Sequence, residues 1–267
     1  MTATPQIPRA QRLALQMQRL VLWVSKHWLL LFNGFFALYL GGAYLTPWLM
    51  QAGLETPARI LYTLYGFTCH QLPQRSYFFG GEAGAFFASY DLPTLIAHGA
   101  NPTNELTLRT FIGDPQLGYK AAIAHRLTGM YSGVLTAGLL YALVRHKRRL
   151  KPLPVWLLFF FLAPMAIDGT SHLINDLTGW GFRDTNAWAV RLTGGAFPPD
   201  FYVGSGVGTL NWLLRTVTGF LFGFGMIAFA YPLLEWGFED MRREAETALA
   251  RNLARLHAAA APTQQEP

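Results

Sequence analysis

The sequence predicts an all-α polytopic membrane bundle, with four main transmembrane spans and interfacial or re-entrant helices beside them. Three observations predict it. The 267 residues are 52% hydrophobic and 13% charged, where a soluble domain averages about 25% charged. Four apolar runs approach or exceed the roughly 20 residues that cross about 30 Å of hydrocarbon. Lys and Arg gather at alternate ends of those runs, as topology signals do.

The formal net charge of +6 has a membrane reading rather than a nucleic-acid one. The basic residues flank apolar runs, where they fix topology and meet anionic lipid headgroups, so the lipid bilayer is the expected partner and no nucleic acid is. Cys69 is the single cysteine, which excludes an internal disulfide and a dithiol redox centre within one chain.

Residues 1–8 read as disordered, within a basic amphipathic N-terminal segment, 1–27. There Arg9, Arg12, Arg19 and Lys26 interleave with Leu13, Met17, Leu20 and Val24, which suits a helix lying in the membrane surface. A membrane domain follows over 28–236. Its first span, 28–50, carries no charge and reads as retained rather than as a cleaved signal. Ile60 to Thr68 is too short to cross and reads as interfacial or re-entrant. Residues 80–120 hold Gly, Pro, Asn and mixed charges, and read as a long loop with one short helix. The second span, 127–144, runs straight into "RHKRRLK", Arg145 to Lys151. The third span is 153–174 and the fourth 207–234. Residues 237–267 read as a cytoplasmic amphipathic helix and a Pro/Gln tail, with Glu239–Arg243 and Arg242–Glu246 at i,i+4. The Lys/Arg distribution then puts both termini in the cytoplasm, loops 51–126 and 175–206 outside, and the chain in the inner membrane.

On that topology four separate stretches bring polar groups to one depth. They are "CHQLPQRS" with Cys69, His70, Gln71, Arg75 and Ser76; His125-Arg126 with Tyr131 one to two turns on; Asp168 with His172; and Asn211 with Arg215. Asp168, His172 and Asn175 sit at i, i+4 and i+7 and share a helix face, as do Asn211, Arg215 and Thr218. Arg126 stands over Gly129 and Gly133, and Arg215 over Gly219 and Gly223, a spacing that presses two helices together. The charged side chains should therefore point into the bundle. Charges there seek partners, and Asp168 with Arg215 is the expected ion pair, with Arg126 the second candidate. Pro164, one turn before Asp168, should bend the third span and widen a cleft.

Cys69, His70, His125, Asp168 and His172 are ligand-competent types, so a metal ion is a candidate occupant, although their spacing matches no zinc pattern. The bland alternatives are headgroup-level hydrogen bonding for the histidines and core packing for Cys69. No internal repeat, phosphate-binding loop, dinucleotide fingerprint or serine elbow is found.

Taken in order, "CHQLPQRS" (Cys69–Ser76), "HRLTGMYSG" (His125–Gly133), "PMAIDGTSH" (Pro164–His172) and "NWLLRTVTGFLFG" (Asn211–Gly223) resemble the DUF2085 family of bacterial membrane proteins, over about Tyr62 to Gly225. The resemblance marks Cys69, His70, Gln71, Arg75, Ser76, Arg126, Thr128, Gly129, Tyr131, Asp168, Gly169, Asn211, Arg215, Thr218 and Gly219. It implies a class rather than an activity. The family pattern has cysteines where this chain has Ala124 and Leu127, and a glutamine at His172. Those departures weaken any inherited metal or thiol role.

Three readings of function follow. The first is an outward-facing polar site that binds a small polar or amphiphilic ligand, in transport or an accessory role. The second is an intramembrane hydrolase or transferase acting on a lipid-linked substrate. There His70 or His125 would be the base, Asp168 would orient it, and Arg126 and Arg215 would hold an anionic group. The third is a structural membrane subunit.

Overall fold

The computed structural model describes residues 8–82 and 84–260. The disorder expected over residues 1–8 and the Pro/Gln tail beyond 260 fall, apart from Pro8, outside the described residues.

Four helices are long and apolar enough to cross a membrane: α1 (Arg9–Gln51), α5 (His125–Val144), α6 (Val155–Thr178) and α10 (Leu210–Ala260). Between them lie α2 (Glu55–Tyr65), α3 (Leu92–Ala97), α4 (Glu105–Leu108), α7 (Phe182–Thr185), α8 (Ala187–Thr193) and α9 (Pro199–Tyr202). The long helices alternate in direction, so the bundle has two unlike ends. One carries Arg145–Lys151 and is the basic end. The other carries all the remaining elements.

α10 is the hub. It packs on α1, α5 and α6, whereas α5 and α6 barely meet each other. The α5–α10 seam is closed by interleaved glycines. A Cβ on Gly129 or Gly133 would collide with the carbonyls of Thr216 and Phe220, and one on Gly219 or Gly223 with those of Arg126 and Met130. Only glycine admits that approach of two backbones. Below the seam Trp28, Val134, Ala137, Tyr141, Ile227 and Tyr231 form the bundle core. Asn33, a polar residue within the first apolar run, is buried there and accepts from the Tyr231 hydroxyl at 2.8 Å.

Two expectations change at the basic end. Arg9–Lys26 is not a separate helix in the membrane plane; it continues into the first span as one 43-residue helix. Likewise 235–260 continues the fourth span in a 51-residue helix. At about 1.5 Å per residue both exceed the bilayer by some 30 Å or more. They project together, with Lys26 and Glu246 paired at 3.3 Å. An unbroken helix cannot both span and lie flat, which is why amphipathicity alone misread this segment.

At the opposite end residues 80–120 are not a plain loop. They contribute to a three-stranded antiparallel sheet of β1 (Ser76–Gly80), β2 (Gly113–Asp114) and β3 (Gly118–Ala124), ordered β1-β3-β2. β3 is almost wholly buried, lying against α1 and α2 with Ala122 and Ile123 packed on Ala43, Tyr62 and Tyr65. α2 packs on α1 and β3 and does not cross the bundle. Residues 92–108 cover a second small core of Leu72, Phe78, Leu95, Leu108 and Leu117.

Candidate functional site

Because α5 and α6 lean on α10 separately, a cleft of about 600 Å³ opens between them at the sheet end. α5 contributes Arg126 and Leu127; α6 contributes Gly169, His172, Leu173, Asp176 and Leu177; α10 contributes Arg215. The loop after α2 closes the cleft with Cys69, His70, Gln71, Leu72 and Arg75.

That loop has an unusual backbone. Gln71 adopts φ +53, one of two non-glycine residues with positive φ among the described residues, a conformation that costs about 1–2 kcal/mol. Three contacts hold it. Its side-chain amide donates to the Tyr62 carbonyl at 2.8 Å, its backbone N–H meets Cys69 Sγ at 3.3 Å, and its carbonyl accepts from Lys120 Nζ at 2.7 Å. Lys120 also donates to the Arg109 carbonyl at 2.6 Å. The bend turns Cys69 inward and leaves His70 exposed. Burial pushes the Cys69 thiol above its ordinary range, so it behaves as a packed side chain and not as a nucleophile.

The ion pairing differs from the expected one. Asp168 does not pair with Arg215. Its Oδ2 accepts from Arg126 at 2.7 Å and its Oδ1 from Arg183 at 2.6 Å. Arg126 was the second candidate; Arg183 carries no sequence signal of its own. The chain leaves α6 through Gly179 and Gly181, both left-handed (φ +66 and +69), and that reversal brings α7 back onto α6. Asn175 Oδ1 then accepts the Arg183 backbone N–H at 2.9 Å, and Asn211 Nδ2 donates to the Arg183 carbonyl at 2.8 Å. Asn211 thus fixes the arginine-bearing turn and does not line the cleft.

Arg183 Nη2 also lies 2.9 Å from His172 Nε2, while Arg215 Nη2 lies 3.2 Å from His172 Nδ1. A neutral imidazole has one acceptor nitrogen, and guanidinium only donates. One of the two arginines therefore faces an N–H it cannot use.

The remaining predicted residues stand apart. Ser76 is fully buried and donates to the Leu72 carbonyl at 3.0 Å, starting β1. His125 is fully buried under the Tyr77 ring, with centroids 4.3 Å apart. Tyr131 packs against Tyr39 with tilted rings, centroids 4.6 Å apart, on the first-span side. Among the described residues no three His, Cys, Asp or Glu side chains are grouped to hold a metal ion. Of the five candidate ligands His70 is exposed at the cleft with no such group around it, and the other four are engaged or closed off. Cys69 is buried, His125 is sealed off, Asp168 is saturated by two guanidiniums, and both His172 nitrogens face arginines that repel a cation. The expected His–Asp dyad is likewise unformed: no hydrogen bond among the described residues links Asp168 to His70 or His125.

A second, more apolar hollow of about 590 Å³ lies behind α6, lined by Pro164, Ile167, Phe182, Trp188 and Leu214, with Asp168 and Arg183 at its edge. The Arg126–Asp168–Arg183 chain is the partition between the two.

Comparison with known proteins yields a match to the family model of a predicted membrane protein, DUF2085, over residues 108–229. That stretch holds the second to fourth polar blocks; Cys69–Ser76 lies before it. An uncharacterized protein of Methanocaldococcus jannaschii is 25% identical over 216 residues, covering 79% of this chain and 94% of the relative. No solved structure matches.

Proposed function

We propose that this multi-pass protein, whose residues 108–229 match the family model of a predicted membrane protein, binds an amphiphilic ligand in the α5–α6 cleft. The reading places both termini and Arg145–Lys151 in the cytoplasm, the cleft in the outer leaflet, and the chain in the inner membrane, in an accessory or transport role. One observation carries it. The cleft has a polar floor of Arg126, His172 and Arg215 and apolar lips on α6, where Leu173 and Leu177 are 57% and 77% exposed. In a bilayer those leucines meet acyl chains, so a ligand with a polar head and an apolar tail satisfies both surfaces.

Mass spectrometry of lipids copurified with the full chain tests this. A Cβ on Gly169 meets only the Arg126 guanidinium, at 3.5 Å or more, so Gly169→Leu fills the cleft without a backbone clash. It should keep the fold and lose the bound amphiphile. Unchanged lipid content would overturn the site. For orientation, a membrane-impermeant thiol reagent in intact cells should label a cysteine at 176 and not one at 148, in a Cys69→Ser background; the reverse pattern would invert the topology.

A further inference from the structure

Arg75, Arg126 and Arg215 line the cleft beside two carboxylates, Asp176 and the exposed Glu105, and of the three arginines only Arg215 is in no ion pair among the described residues. Arg75 donates to Asp176 at 2.9 Å, and Arg126 and Arg183 share Asp168. Arg215 is 3% exposed and is in none of these pairs. Its Nη1 has no hydrogen-bond partner, and its Nη2 faces only His172 Nδ1. Nε of Arg75 and of Arg126 is likewise buried and unpartnered. Buried cations are costly unless matched by an anion, and Arg215, Arg126 and Arg75 all line the same cleft.

We infer that the cleft is an anion site, and that the head of its ligand is a phosphate-class group received by Arg215, with Arg126 and Arg75 beside it. The inference rests on the amphiphile reading of the cleft and specifies its head. Guanidinium matches the class: it presents paired donors in a fork that engages two oxygens of one tetrahedral oxyanion. His172 supports this. When its Nε2 accepts from Arg183, its Nδ1 carries the proton and cannot accept from Arg215, which leaves that guanidinium without a hydrogen-bond acceptor among the described residues. A cationic head is disfavoured: three arginines face the space against two carboxylates, one of which, Asp176, is already held by Arg75. A neutral sugar or alcohol head would leave Arg215 without a counter-charge. Phosphate chemistry is shared by a lipid headgroup and by free inorganic phosphate, and the leucine lips favour the lipid without being required by the arginines.

Native mass spectrometry of the full chain, in a neutral detergent, separates these cases. The probes are octyl phosphate, octyl glucoside and inorganic phosphate. Octyl phosphate should bind at least tenfold more tightly than octyl glucoside. Arg215→Gln should abolish that preference while melting no lower than wild type, because it removes a buried cation that lacks a carboxylate. Arg215→Lys should restore part of the preference, since it keeps the charge and loses the fork. Arg75→Gln, at the part-exposed rim, is a second variant and should weaken octyl phosphate severalfold. Inorganic phosphate binding as tightly as octyl phosphate would support the anion site with the free ion as its source. Equal binding of octyl phosphate and octyl glucoside, insensitive to Arg215→Gln, would overturn the anion inference and leave the amphiphile reading standing. Absence of binding by all three would overturn both.

Discussion

The α5–α10 seam and the α5–α6 gap lie side by side at the same end of the bundle, yet they are built on opposite principles. In the seam, Gly129 and Gly133 interleave with Gly219 and Gly223 so closely that backbone meets backbone. In the gap, the same stretch of α5 presents Arg126 and Leu127 to an open space floored by Arg215. Small residues place the stability in the seam. Across the gap, α5 and α6 meet through long charged side chains, Arg126 and Asp168, and not through their backbones. A protein that closed both would be a structural bundle, and one that opened both would lack the fixed frame on which a site depends.

The largest expected effect breaks the seam. Gly223→Leu drives a side chain into the Met130 carbonyl. Overpacking usually costs about 1–3 kcal/mol, and here the obstacle is backbone rather than a side chain that can rotate away. Thermal unfolding in detergent should show loss of the folded protein or a cost above that range. Gly169→Leu, on the gap side of α6, should melt near wild type. Equal melting of the two variants would erase the distinction between seam and gap.

Next comes the partition. Asp168→Asn leaves Arg126 and Arg183 facing each other without a carboxylate, and breaking a buried pair costs roughly 3–5 kcal/mol. Arg183→Gln should cost less, because Arg126 stays on Asp168. The double variant should cost clearly less than the sum. Strict additivity would mean that Asp168 and Arg183 are independent, contrary to their 2.6 Å contact.

The seam and most of the gap were legible in the sequence for the same reason: helical spacing. Gly129/Gly133 and Gly219/Gly223 recur at four residues, and so do Asp168/His172 and Asn211/Arg215, although of the latter only His172 and Arg215 line the gap, Asp168 standing in the partition and Asn211 holding the Arg183 turn. What spacing cannot give is a partner on another element. Arg183 reaches Asp168 only because two left-handed glycines reverse the chain after α6, and a glycine pair in a loop does not say where the next residues land. The sheet was hidden differently. β3, "GYKAAIA", is buried along nearly its whole length, so it shows no alternation, and its lysine imitates a solvent-facing residue. The extensions of α1 and α10 were read as separate because amphipathicity reports a helix's surroundings and not its continuity.

That lysine gives the smallest and most specific test of how the gap is held. Where the seam uses backbone contact, the cleft wall hangs on Lys120, fully buried, donating to the carbonyls of Gln71 and Arg109. Burial is the main cause that pulls its pKa down to about 7; a charged Cys69 would raise it and Arg109 lowers it further. An unfolded chain keeps the ordinary value near 10.4. Below about pH 7 lysine is protonated in both states, and the folded protein bears the full cost of a buried charge. Above it the folded state releases the proton and the unfolded chain does not until about pH 10. The unfolded state then binds more protons, so stability rises with pH across that window, by about 1 kcal/mol between pH 7 and 8. Denaturation in detergent, followed from pH 6 to 9, should show that rise in wild type and its loss in Lys120→Met, which keeps the volume without the titration. Both proteins should carry the Cys69→Ser change, because the thiol and Lys120 influence each other; the tyrosines are common to both, so the difference in slope then reports Lys120. Parallel curves for the two would show that Lys120 keeps its proton in the folded state across that window.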